Sequence, residues 1–308
     1  MPSGTTFVRL PNELTGAPPA DALRATLQIM LLKGKKSAQQ RYCDAALNSF
    51  ADSAYRFSVV SDRVLITSIY VQEMRSLDPI EAGHGSVVES DIALWSLVKC
   101  MRIDGTIPDK LMWLPSFMFV DSGPAMATGR EIFGYPKCVS DIKRAEPSPG
   151  KAGVEIKTVH FDEFAPTATA QNRPIMAVIK GPGLLSDPTD STMAKVSKDF
   201  VKEYEPELKQ GFTATPFPQI GMPQVTLRQF RDPTRAGAAS LSEILVVTPQ
   251  ATKLRGVGFL EANLEVTLQK SASHDVMGLM GLGPVNKVDF GGWVTFDFRT
   301  SWAKRLFP

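Results

Sequence analysis

The sequence predicts a mainly β chain of the α+β class, a curved or closed sheet with an N-terminal helical extension. Apolar and polar residues alternate with period two in run after run from residue 55 onward. Few stretches beyond that point have the length and spacing of a long helix, the pattern of a sheet that packs on itself. Before residue 55 the apolar spacing is helical instead. The chain therefore divides into an extension, 1–54, and a β-barrel domain, 55–308.

Residues 1–17 are polar, with proline and glycine, and read as an arm or loop. Pro18-Pro19-Ala20-Asp21 opens a helix expected over about 20–33, because Leu23, Leu27, Met30 and Leu31 fall on one helical face. A second helix is expected over about 37–52, with Tyr42, Ala45, Ala46 and either Leu47 or Phe50 inward. Then the period changes. Arg56–Val60 and Val64–Val71 read as two strands separated by the polar pair Asp62-Arg63. Val87–Val98 is a third, and it carries Glu89 and Asp91 as acidic residues placed to be buried. Asp104-Gly105-Thr106 is a turn and Phe117–Val120 a short strand.

Ala152–Phe161 alternates, and Ile175–Ile179 is short and apolar enough to be a buried strand that Gly181-Pro182-Gly183 ends. Residues 188–204 read as an amphipathic helix with Met193, Val196, Phe200 and Tyr204 along a packing face. In the last third, Gln224–Phe230, Glu243–Val247, Gly258–Leu268 and Trp293–Phe298 read as strands, with Gly281–Val285 between the last two.

Composition narrows the function. Apolar residues are 43% and charged residues 21%, so a sizeable core is available and wholesale disorder is not expected. A net charge of +2 is too small to attract nucleic acid or an anionic membrane, and Lys33-Gly34-Lys35-Lys36 reads as a solvated loop. Cys43, Cys100 and Cys138 are far apart and odd in number, which fits a reducing cytoplasm rather than a disulfide framework. His84, His160 and His274 lack ligand spacing, so no metal is expected. Leu27–Leu32 is too short for a signal peptide or a membrane span. There is no Walker-type glycine loop.

The chemistry concentrates in Ala125–Cys138. Pro136 fixes its own φ and keeps Tyr135 out of the α region, so the backbone entering Lys137 is stiff. Gly134 relieves the steric limits just before it. A lysine held this way beside apolar residues is a candidate amine nucleophile. An ordinary lysine, with a pKa of about 10.4, is almost wholly protonated at neutral pH. Burial is expected to lower that value and free the amine.

Gly129-Arg130-Glu131 followed by Tyr135-Pro136-Lys137 resembles the segment that carries the imine-forming lysine of acetoacetate decarboxylases. The lead-in, Met118-Phe119-Val120-Asp121 and Pro124-Ala125-Met126-Ala127, is similar too. So are Met222-Pro223-Gln224-Val225-Thr226-Leu227, Ser273-His274-Asp275-Val276-Met277, Gly283-Pro284-Val285 and Val294–Phe298. The resemblance runs from about residue 56 to 299. It implies a cone-shaped closed β-barrel with an apolar central cavity, a homo-oligomer, and a cofactor-free decarboxylase acting on a small-molecule keto acid. On that resemblance Lys137 is the catalytic amine. Arg63, with Tyr70 seven positions on, binds the substrate carboxylate, and Asp91 or Glu89 lines the cavity to relay protons. Tyr135 and Arg130 are the further substrate-binding candidates.

Three features depart from the family. Cys138 stands where a second lysine usually follows the nucleophile, and no Tyr-Thr-Glu-like element lies between Trp95 and Trp113. About fifty additional residues precede the shared part. The first two favour an alternative on the same scaffold, an imine-forming aldolase or dehydratase acting on a keto acid. A non-catalytic β-barrel that binds an apolar ligand is the third reading.

Overall fold

Tyr55–Ser76 forms one strand of 22 residues, β2, around which the sheet grows on both sides. The computed structural model describes residues 8, 16–50, 54–105, 109–144, 150–181, 223–261 and 263–306. The helix expected over 188–204 lies outside them. β2 was expected as two strands. Asp62-Arg63 instead sits where the pairing of β2 with β3 (Val87–Arg102) shifts register between Val59 and Val64. A bulge accommodates the polar pair without ending the strand.

On its other side β2 pairs with β1 (Ala20–Lys33), an antiparallel strand where a helix was expected. The local residues favour helix, but Met30, Leu31 and Leu32 are all buried. A run buried on both faces has no period that separates helix from strand. Pairing with β2 and with β13 (Phe290–Thr300), nearly the whole chain away, decides it. The second helix does form, as α1 (Lys36–Cys43) continued by a π-helical turn to Asn48, shorter than expected. It lays Cys43 and Leu47 against Phe57, Val98 and Met112.

β4 (Lys110–Val120) follows β3 antiparallel. Beyond it come β5 (Lys137–Arg144), β6 (Val154–His160), β7 (Gln171–Lys180), β11 (Leu264–Leu268) and β12 (Val285–Lys287). At the far side β10 (Gln250–Phe259) pairs with β13. β8 (Gln224–Arg231) touches β4 and carries β9 (Ala239–Val247), which in turn carries β14 (Lys304–Arg305). The strand expected over Gly258–Leu268 is thus two, β10 and β11, separated where Asn263 takes φ +59°.

Hydrogen bonds among the described residues do not close the sheet into the expected barrel. Among the described residues the hydrogen-bonded path ends at β10 and β12. β4 divides its second edge, giving Met118–Val120 to β5 and Trp113 to β8, both parallel. The sheet therefore branches at β4 instead of passing strand by strand into a ring. One face of β1–β4 packs the main core, including Leu32, Ile66, Leu94 and Phe119, against β6, β7, β11 and α3 (Val276–Met280). The other face is concave and lines a cavity.

The connection from β4 to β5 is α2 (Gly123–Phe133). Ser122 caps it, its hydroxyl accepting from the Ala125 amide at 3.3 Å, and Pro124 occupies the first turn. Gly134 ends it at φ +69°, a conformation that favours glycine. A Cβ there would lie 2.8 Å from both N and Cα of Arg228 on β8. Gly134→Ala is expected to cost about 2 kcal/mol or more, summing the left-handed penalty and the backbone clash. Urea unfolding of the variant beside the parent checks it.

Candidate active site

Lys137 is the first residue of β5 and pairs in register with Met118 of β4. The β4–α2–β5 crossover fixes where its side chain starts. The Tyr135 amide donates to the Gly129 carbonyl at 2.9 Å, and the Lys137 amide donates to Tyr135 at 2.8 Å. The Lys137 stem then runs over Gly129. A Cβ at that glycine would sit 2.4 Å from Lys137 Cδ and 3.0 Å from Cε. The glycine of the Gly-Arg-Glu segment is thus the gap through which the lysine passes.

Glu89 and Asp91 are two residues apart on β3, so the strand's alternation turns both to the same face. Asp91 lies opposite Val120 of β4. Lys137 reaches across β4 to both acids. Its Nζ donates to Glu89 Oε1 at 2.6 Å and lies 3.1 Å from Asp91 Oδ2. The three residues are 8%, 6% and 5% exposed, so the trio is nearly dry.

That burial corrects the expected activation. Desolvation does push the Lys137 ammonium toward losing its proton, but the adjoining Glu89 and Asp91 outweigh it. The net shift is upward, and the resting amine is charged. Asp91 is raised to about 6, chiefly by burial, with the Glu89 charge adding to the rise and Lys137 opposing it. With all three groups ionised the trio carries one net negative charge.

The cavity beside Nζ has a volume of about 500 Å³. Its floor is the face of β1, β2 and β13 that carries Leu27, Ile69 and Phe296, its walls include Trp95, Trp113 and Phe133, and the exposed residues 84–87 stand at the mouth. Tyr135 lines it and donates its hydroxyl to Gln224 Oε1, which ties the lysine's approach to β8. Burial raises the Tyr135 phenol, so it stays a neutral donor. Trp95 donates its indole N–H to Thr67 at 2.8 Å.

Lys137, Glu89, Asp91 and Tyr135 therefore meet at one place. The other two candidates do not. Arg63 forms an ion pair with Asp289 and is absent from the cavity lining, because the β2 bulge gives it a partner elsewhere. Arg130 is exposed on α2 and donates to the Lys137 carbonyl at 3.2 Å, steadying the backbone but not facing the cavity. Three residues have roles that sequence reading missed: Gly129, Gln224 and Arg144. Arg144 lies on the opposite face of the sheet, donating to Ser68 at 3.0 Å and Ser90 at 3.3 Å, behind the acids. Among the described residues no group of three or more His, Cys, Asp or Glu could hold a metal, and no helix is long and apolar enough to cross a membrane.

Replacing Lys137 with methionine would leave two buried like-charged carboxylates. Lys137→Met is expected to destabilise the fold by about 3–5 kcal/mol at pH 8. Much of that loss should return at pH 5, where protonation of Asp91 removes the repulsion. Denaturant unfolding of parent and variant at both pH values checks the sign.

No family model matches the sequence, and no curated protein matches it. Solved structures do. An acetoacetate decarboxylase from Legionella pneumophila superposes with a TM-score of 0.59 at 12% identity, over 99% of this chain and 92% of that one. An acetoacetate decarboxylase-like enzyme from Sphingomonas wittichii RW1 gives 0.56 at 14%, over 99% and 100%. The enduracididine biosynthesis enzyme MppR, solved with the condensation product of pyruvate and imidazole 4-carboxaldehyde, gives 0.52 at 13%, over 99% and 97%. Across nearly its whole length the chain has the fold of acetoacetate decarboxylase and its relatives.

Proposed function

We propose that Lys137 is the imine-forming amine of an enzyme that makes or breaks a carbon–carbon bond beside a carbonyl, with Glu89 and Asp91 moving the protons. One observation carries this reading: a nearly dry lysine nitrogen, 2.6 Å from one buried carboxylate and 3.1 Å from another, opens onto an apolar cavity. A structural ion pair needs neither the second acid nor the cavity.

The resting ammonium first passes a proton to Glu89 across the 2.6 Å hydrogen bond. Seating an apolar substrate drives out water and narrows the gap between the ion pair and the neutral pair. The freed lone pair then adds to the carbonyl carbon. Two of the three ammonium protons leave with the carbonyl oxygen as water, relayed by the acids. The third stays on the iminium with the positive charge. That iminium accepts the electron pair of an α-bond when it breaks. Loss of an α-proton to Asp91 or Glu89 gives an enamine that can attack an aldehyde, and the reverse cleaves a carbon–carbon bond.

Aldol-type or dehydrating chemistry fits the site better than decarboxylation of a 3-oxo acid. Such an acid would bring its carboxylate next to Glu89 and Asp91, while Arg63 pairs with Asp289. MppR, on this fold, is solved with the condensation product of pyruvate and imidazole 4-carboxaldehyde, a molecule of the aldol type though one built from a keto acid.

Borohydride reduction in the presence of acetone is expected to add an isopropyl group at Lys137, seen by peptide mass spectrometry. Labelling should weaken as pH falls through about 6, because Asp91 takes up a proton and one relay is lost. Glu89→Gln should slow labelling by about 100-fold or more. An unmodified Lys137, with label spread over surface lysines, would refute the imine.

A further inference from the structure

The cavity that holds Lys137 also says what it takes. We propose that its substrate is an uncharged aldehyde or ketone with a bulky apolar group, laid across β2, β1 and β13. The inference rests on Lys137 forming the imine, and it goes beyond that by assigning the substrate class.

Charge is the first argument. The ionisable side chains lining the cavity are Glu81, His84, Glu89, Asp91, Tyr135 and Lys137. Three are acids, and among the described residues no arginine and no second lysine faces inward. Lys137 is already engaged by two carboxylates. His84 stands on the exposed mouth, away from the floor. A substrate carboxylate would therefore have to give up its water in an acid-lined, largely apolar space where, among the described residues, no unengaged lysine or arginine meets it, a costly burial. An uncharged carbonyl compound meets no such penalty.

The floor supplies the second argument. In register across the strands, Glu89 is followed by Val71 on β2, Ala25 on β1 and Phe296 on β13. The neighbouring row runs from Asp91 to Ile69 and Leu27. Each row leaves the acids and becomes wholly apolar. Adjacent strands lie about 4.8 Å apart, so the apolar floor extends on the order of 10–14 Å from the reacting nitrogen's partners. At the far end the Phe296 and Phe298 rings stack with centroids 5.3 Å apart.

Size agrees with charge. The cavity's 500 Å³ matches on the order of fifteen water volumes at about 30 Å³ each. A keto acid of about six or seven heavy atoms would leave most of that volume unfilled. A ligand whose carbonyl meets Lys137 and whose apolar group reaches the phenylalanines fills it.

Reductive labelling of Lys137 across a panel of probes tests the assignment. Benzylacetone and methyl hexyl ketone should reach half-maximal labelling at concentrations about 100-fold below acetone, since each added methylene removes apolar surface from water. Pyruvate and acetoacetate should label no better than acetone. Phe298→Ala should shrink the ratio of benzylacetone to acetone labelling. Keto acids labelling better than acetone, or no gain with apolar length, would overturn the proposal. Quenching of tryptophan fluorescence by benzylacetone, followed in the parent and in Lys137→Arg, separates the two claims. Saturable quenching without any labelling would remove the imine and keep the ligand class. Neither quenching nor labelling would remove both.

Discussion

A charged lysine held between two buried carboxylates is the constraint around which the rest of this structure is arranged. Each of those groups would be costly to bury alone. Together, at 2.6 and 3.1 Å, they offset one another only while the geometry stays tight. The backbone supplies that tightness. β3 presents Glu89 and Asp91 on one face, β4 lies between, and the α2 crossover delivers Lys137 parallel to β4. Within this crossover a larger side chain at Gly129 would intrude on the lysine stem and one at Gly134 on β8.

Much of this was readable in the residues. Tyr135-Pro136-Lys137 announced a stiff approach to a lysine, and two acids inside an apolar strand announced buried charge. The remainder depended on partners remote in sequence. Leu27–Leu32 reads as helix from its own residues, and only β2 and β13 make it a strand. Arg63 has the spacing of a carboxylate binder, yet a bulge and Asp289, more than two hundred residues on, settle its partner. The sign of the Lys137 shift was misread for the same reason: burial alone lowers a lysine, and only the distances to Glu89 and Asp91 reverse it.

The upward shift changes how reactivity arises. A lysine depressed by burial is a nucleophile at rest. This one is held as an ammonium, and in the proposed mechanism the neutral amine appears by a short proton transfer to Glu89. On that mechanism the arrangement would resist stray carbonyl compounds while the cavity is wet and favour reaction once an apolar ligand has displaced the water. On the proposed reading the same acids that hold the proton are then in place to relay it onward, so one trio would serve both resting stability and turnover. The apolar floor would complete that division of labour, binding coming from area and chemistry from three polar groups at one end.

The most direct test is the titration of the Lys137 amine in the ligand-free protein, followed by NMR of isotopically labelled lysine and assigned with Lys137→Arg. The Lys137 signal should remain that of an ammonium beyond the pH at which an ordinary lysine, at about 10.4, is half deprotonated. Loss of its proton well below that point would mean that desolvation dominates and that the two carboxylates do not hold the charge.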